Sequence, residues 1–165
     1  MGKIERKYLA HFINAAKTNA GAASYERLGK DLEEFSPELS AQVDTKKNIL
    51  GETSILISSY EKTASVEPYY AEKGSALFER LQAIIDDQLV LDELKTDVVE
   101  VKLWNEAEAG AYPAIKEEAY IEVTSYGGDT TGYQIPFTVH FTGNRTKGTF
   151  NVETKTFTAA NAAAE

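Results

Sequence analysis

Between Gly132 and Gly143 apolar and polar side chains alternate without a break. Tyr133, Ile135, Phe137, Val139 and Phe141 fall on one parity, and Gln134, Pro136, Thr138, His140 and Thr142 on the other. A helix would scatter the apolar five around its axis, whereas a strand points successive side chains to opposite faces and gathers them on one. The run therefore reads as a half-buried strand, and its backbone groups need neighbouring strands to pair with. Pro136 has no N–H to give a ladder, which predicts an edge or a bulge at that point. The flanks supply partners. Ala119, Ile121 and Val123 alternate with Glu118, Tyr120, Glu122 and Thr124, and Gly127-Gly128-Asp129 reads as a turn. Gly143-Asn144-Arg145 predicts a second turn into a strand holding Phe150 and Val152. Upstream, Val99, Val101 and Leu103 alternate with Glu100, Lys102 and Trp104, another strand with one buried face, and 105–113 reads as a loop around Gly110. Residues 98–158 are thus expected to be antiparallel strands.

One segment has a different period. Leu77, Phe78, Leu81, Ile84, Ile85 and Leu89 make a single stripe at 3.6 residues per turn, so a helix is predicted over 75–89, with Ser75 as its cap. Glu79, Arg80, Asp86 and Asp87 are expected mostly on its wet side. The fold class that follows is mainly β, an antiparallel β-sandwich flanked by one α-helix. With 165 residues the chain suits a single domain. Lys3–Asn14 reads as a short helix or an arm lying on a neighbour, so that 1–24 is expected as an N-terminal arm with a flexible Ala15–Ser24 connection. The alanine-rich 159–165 is expected to be a flexible tail.

Ser36-Pro37 argues against a helix, and beyond it 39–66 reads as a long hairpin, Leu39–Lys47 against Glu52–Val66. Its tip is unusual. Asn48-Ile49-Leu50-Gly51-Glu52 sets two large aliphatic side chains beside a turn glycine, where most hairpin tips are polar. Either the tip folds back on its own core or it docks on another subunit.

Composition narrows the function. The chain has no cysteine, which excludes disulfides, thiolate nucleophiles and thiolate metal sites. Its two histidines, His11 and His140, stand in no metal-ligand spacing, so neither a metal nor another cofactor is expected. No Walker-type glycine loop is present. The adjacent acids Glu33-Glu34, Asp86-Asp87 and Glu117-Glu118 would point to opposite faces of a strand rather than converge on one substrate atom. No catalytic residue is assigned, and an enzyme is not expected. No apolar run approaches the roughly 20 residues that span a bilayer, and Met1–Arg6 lacks the apolar stretch of a signal peptide, so neither membrane nor export is expected. The net charge of −9 argues against wrapping nucleic acid, which takes clustered Lys and Arg. A wall of the same sign as DNA would let that polymer slide past without sticking, although acidity also serves plain solubility. Tyr69-Tyr70 follow Pro68 just before the helix; such residues suit interfaces and also the rims of ordinary sandwiches.

The run Tyr25-Glu26-Arg27-Leu28-Gly29-Lys30-Asp31-Leu32-Glu33-Glu34, then Asp44 to Thr53, then Val66-Glu67-Pro68-Tyr69-Tyr70-Ala71, resembles the tail tube proteins (major tail proteins) of phages and prophages of Gram-positive bacteria. The resemblance implies a β-sandwich with one helix and a long hairpin or loop reaching neighbouring subunits. Subunits of that family form hexameric rings that stack into a hollow tube, a virion structural element whose lumen carries the genome during ejection. The partners implied are copies of the same chain, with tape measure, tail terminator and baseplate or distal tail proteins. DNA would pass through a negatively charged lumen without specific binding. The implied location is the virion tail, after synthesis in the host cytoplasm. Subunit contacts are expected at Lys46, Lys47, Asn48, Ile49, Leu50, Gly51 and Glu52 of the tip, and at Tyr69 and Tyr70. Contractile tails, phage-like bacteriocins and type VI secretion use the same architecture, so the likeness does not select the machine. The alternative from another class is a monomeric β-sandwich binding or adhesion module. That needs a concave aromatic platform, and Trp104 is the only tryptophan.

Overall fold

A computed structural model describes residues 2–16, 24–29, 32, 34–105 and 110–160. Its spine is a pair of long strands, β7 (Ala111–Val123) and β10 (Phe137–Asn151), which run antiparallel along most of their length. On its other flank β10 changes neighbour half way. β5 (Thr63–Val66) pairs with Phe137–His140, and β11 (Thr156–Ala159) with Gly148–Asn151. Beyond β7 come β6 (Lys95–Lys102), β1 (Leu9–Asn14) and β2 (Tyr25–Leu28), giving a seven-stranded antiparallel sheet in the order β11-β10-β7-β6-β1-β2 with β5 off the path. Two hairpins stand outside it, β3 (Ala41–Lys47) with β4 (Thr53–Tyr60), and β8 (Gly127–Asp129) with β9 (Gly132–Gln134). The helix α1 spans Ala76–Asp87. The protein is mainly antiparallel β with one α-helix, the class its alternating runs predict.

Pro136 falls between β9 and β10, so the alternating run is broken there. Ile135, Phe137 and Val139 are fully buried, while Tyr133 is exposed. The turn expected at Gly143-Asn144-Arg145 is instead a bulge within a continuous strand, a register shift between Phe141 and Arg145. Gly143 takes φ +89° there. Thr142 Oγ1 donates to the Glu118 carbonyl and Asn144 Nδ2 to Glu118 Oε2, both at 3.1 Å, which holds the extra residues against β7 and lets the sheet bend.

Bending explains two further differences. Leu9–Asn14, expected as an arm or short helix, is an internal strand hydrogen-bonded to both β2 and β6. β6 is covered on both faces rather than one. Val98 joins a cluster with Ile13, Ala119, Ile121, Phe137, Leu77 and Leu81, and Val99 and Val101 join another with Phe12, Ala114 and Phe150 on the opposite face. A curled sheet has room for apolar contacts inside its curve as well as beneath the helix. The parts of the expected 1–24 arm at 17–23, and of the expected tail at 161–165, lie outside the described residues.

The helix packs on the first face. Ser75 caps it by accepting from the Phe78 N–H at 3.4 Å. Glu26 of β2 adds a second cap, accepting from Ser75 Oγ at 3.1 Å and from the Leu77 N–H at 3.3 Å, so the unsatisfied N–H groups and positive dipole end meet a carboxylate from the sheet. Arg80 is buried rather than wet. Its Nη1 donates to the carbonyls of Asn14 and Ala16, both at 3.0 Å, and its Nη2 to that of Lys95. The guanidinium thus ties α1 to the end of β1 and the start of β6.

Candidate assembly surface

All residues of β3 and β4 are exposed on both faces of the hairpin. Cross-strand pairing puts Val43, Ile57 and Ile55 on one face with Thr45 and Thr53, and Leu56 on the other with Asp44 and Lys46. Among the described residues the backbone bonds at the arm's base are those of Glu61 N–H, which donates to the Ser40 carbonyl at 3.3 Å, and of Glu38, which exchanges two with Thr63. The seven paired residues of β3, at roughly 3.4 Å each, carry the tip about 24 Å from that base. β5, which the sequence reading included in the hairpin, leaves it and enters the main sheet beside β10.

The tip is ordered by Asn48. Its Oδ1 accepts from the N–H groups of Leu50 at 2.9 Å and Glu52 at 3.0 Å, and its Nδ2 donates to Glu52 Oε2 at 2.7 Å. Gly51 takes φ +82° and donates its N–H to the Asn48 carbonyl at 3.1 Å. This framework holds Ile49 and Leu50 outward at 102% and 77% relative exposure. The tip does not fold back on its own core, which was one of its two sequence readings. Lys46 and Lys47 flank it and are also exposed.

Tyr69 and Tyr70 lie elsewhere and are partly buried against their own chain. Tyr69 meets Phe137 edge-on at 5.7 Å, and its carbonyl accepts from the Ile135 N–H at 2.9 Å. Burial raises the Tyr69 phenol above its ordinary pKa. Tyr70 forms a bridge to Gln134 and packs on Gly132, where a Cβ would come within 3.4 Å of its ring. The structure therefore brings together the seven tip positions, and separates from them the two tyrosines, which line the cleft between β2 and α1.

The sequence reading missed a second apolar surface. Where α1 ends and β7 ends, Ile85, Leu89, Val90, Leu94, Val123 and Tyr126 line a groove of about 450 Å³. Val90 and Tyr126 are 62% and 64% exposed, and the adjacent Leu91 is 78% exposed. The available signal was Val90-Leu91, two large aliphatics immediately beyond the helical stripe.

Buried charge belongs to the body rather than the arm. Glu117, buried in β7, accepts from Lys62 Nζ at 3.1 Å and lies 3.5 Å from Arg145 Nε. On the same face His11 Nε2 sits 3.3 Å from Glu100 Oε2, with Phe35 edge-on to the imidazole at 4.8 Å. The hydrogen bond from His11, with Lys62 and Arg145 nearby, holds the Glu100 carboxyl below its usual range. Among the described residues no three His, Asp or Glu side chains converge as metal ligands, and no helix is long and apolar enough to cross a membrane.

No protein-family model matches the chain, and no curated protein matches it.

Proposed function

We propose that this chain is a non-enzymatic structural subunit that assembles with copies of itself into stacked, hexameric rings forming a phage tail tube. The observation that carries the reading is the β3–β4 arm. A two-stranded hairpin is at best marginally stable alone in water, and this one has no buried residue in either strand and an aliphatic tip fixed by Asn48. Pre-ordering such a tip lowers the entropy lost when it binds, which is useful only if something binds it. Assembly supplies that contact, and a head-to-tail ring that also stacks gives each subunit several surfaces to cover. The resemblance across Tyr25–Glu34, Asp44–Thr53 and Val66–Ala71 supplies the kind of assembly, and with it the tape measure, terminator and distal tail partners. The net charge of −9 suits a negatively charged lumen that DNA crosses without specific binding.

Electron microscopy of the purified chain at rising concentration tests the reading, with rings or long hollow tubes as the expected result. Ile49→Asp combined with Leu50→Asp should leave the folded monomer intact and stop tube growth. Monomers alone at every concentration would favour a solitary binding module instead.

A further inference from the structure

We infer that the receptor for the hairpin tip is the groove at the C-terminal end of α1 on a second copy of this chain, so that copies join head to tail. The inference rests on the self-assembly reading above and names the surface that reading leaves open.

Size and polarity agree, and the groove lies beside acidic residues. Ile49 and Leu50 together bring about eight side-chain carbons, which at roughly 30 Å³ for each water-sized group fill about 240 Å³. The groove offers about 450 Å³, room for both with the flanking backbone. Its walls are mostly aliphatic and aromatic, with Gln88, Glu122, Thr124 and Ser125 among them, and each of the two surfaces leaves large apolar side chains in water. Glu122 lines the groove and pairs with His140, and the exposed Asp86, Asp87, Asp92 and Glu93 neighbour its lining residues in the chain. Beside the tip stand Lys46 and Lys47, while the nearby Glu52 carboxylate already accepts from Asn48. The tip lysines, balanced by Asp44 and Glu52, can thus meet an acidic-rimmed socket, and that rim disfavours groove against groove.

Register places the arm's base and the groove on opposite edges of the same end of β10. β5 starts at Thr63 opposite His140 and ends at Val66 opposite Phe137. The arm leaves beside His140 on one edge, and Val123 of the groove pairs with Phe137 on the other. Knob and socket are different patches on one chain, so the contact is heterologous and each added copy leaves one of each unfilled.

Two variants of the full chain test this. The tip variant carries Ile49→Asp and Leu50→Asp; the groove variant carries Val90→Asp and Tyr126→Asp, all at exposed positions. Neither is expected to self-associate in sedimentation velocity where the unmodified chain does. Mixed, they should form a one-to-one complex and stop, because one retains its socket and the other its knob. Circular dichroism checks that each keeps its fold. If the groove variant does not, Asp87→Lys with Asp92→Lys replaces it. That change should abolish association, and adding Lys46→Glu with Lys47→Glu in the same chain should restore it. A groove variant that associates like the unmodified chain, or a mixture that forms no complex, overturns the groove as receptor while leaving self-assembly standing. An unmodified chain that stays monomeric throughout overturns both.

Discussion

Arg80 shows how one side chain can organise an interface between elements. Its buried guanidinium donates to the carbonyls of Asn14, Ala16 and Lys95, and the first of these also accepts from Thr96 Oγ1 at 2.7 Å. Arg80→Met keeps much of the apolar stem and removes the donors, so it is expected to cost about 2–4 kcal/mol in urea denaturation. The helical spacing already contained this. Position 80 lies three residues after Leu77 and four before Ile84, in the middle of the buried stripe, and only the assumption that an arginine must face water put it elsewhere. Glu100 makes stability depend on pH. Its carboxyl is held below the unfolded value, so its contribution is present above the ordinary carboxylate range and is lost as pH falls through the lowered folded value. Denaturation midpoints followed from pH 7 to about pH 3 should fall less steeply in Glu100→Gln than in the parent chain. His11 gave no such signal in the sequence. A lone histidine is read as an ordinary surface or strand residue until the strand opposite is known to carry Glu100 at its register position.

At the scale of elements, the arm is separable from the body. No residue of β3 or β4 is buried, and Ser40 and Glu61 already meet at its base. Replacing 41–60 by a short Gly-Ser link should therefore change the stability of the body by no more than about 1 kcal/mol in chemical denaturation, while removing all assembly. Elements with one buried face were legible because burial on one side leaves period two in the sequence, as at Phe137, Val139 and Phe141. The helix was legible for the equivalent reason at 3.6 residues, and its cap at Ser75 stands where expected. β1 was not. His11, Phe12 and Ile13 are consecutive and all buried, so a strand covered on both faces erases the alternation that would reveal it. The bulge at 142–144 was mistaken for a turn because a glycine at positive φ beside an asparagine carries the same local chemistry in both settings.

At the scale of the molecule, association and stability are linked. A contact made only by the folded chain raises the melting temperature with protein concentration. The unmodified chain should melt several degrees higher at a hundredfold higher concentration in scanning calorimetry, whereas the tip variant Ile49→Asp with Leu50→Asp should melt at one temperature throughout. The hairpin tip was legible as an anomaly, two aliphatics where polar residues belong, but the groove was not. The groove is made from the end of α1 and the end of β7, some thirty residues apart in sequence, and only folding brings them side by side. The placement of β1 has a consequence for synthesis. That strand is made first yet lies between β2 and β6, so the body stays open until Lys95–Lys102 has left the ribosome. The arm, finished by Tyr60, emerges earlier and needs nothing that follows to pair its two strands. The nascent chain thus completes its arm before it has a body to carry it.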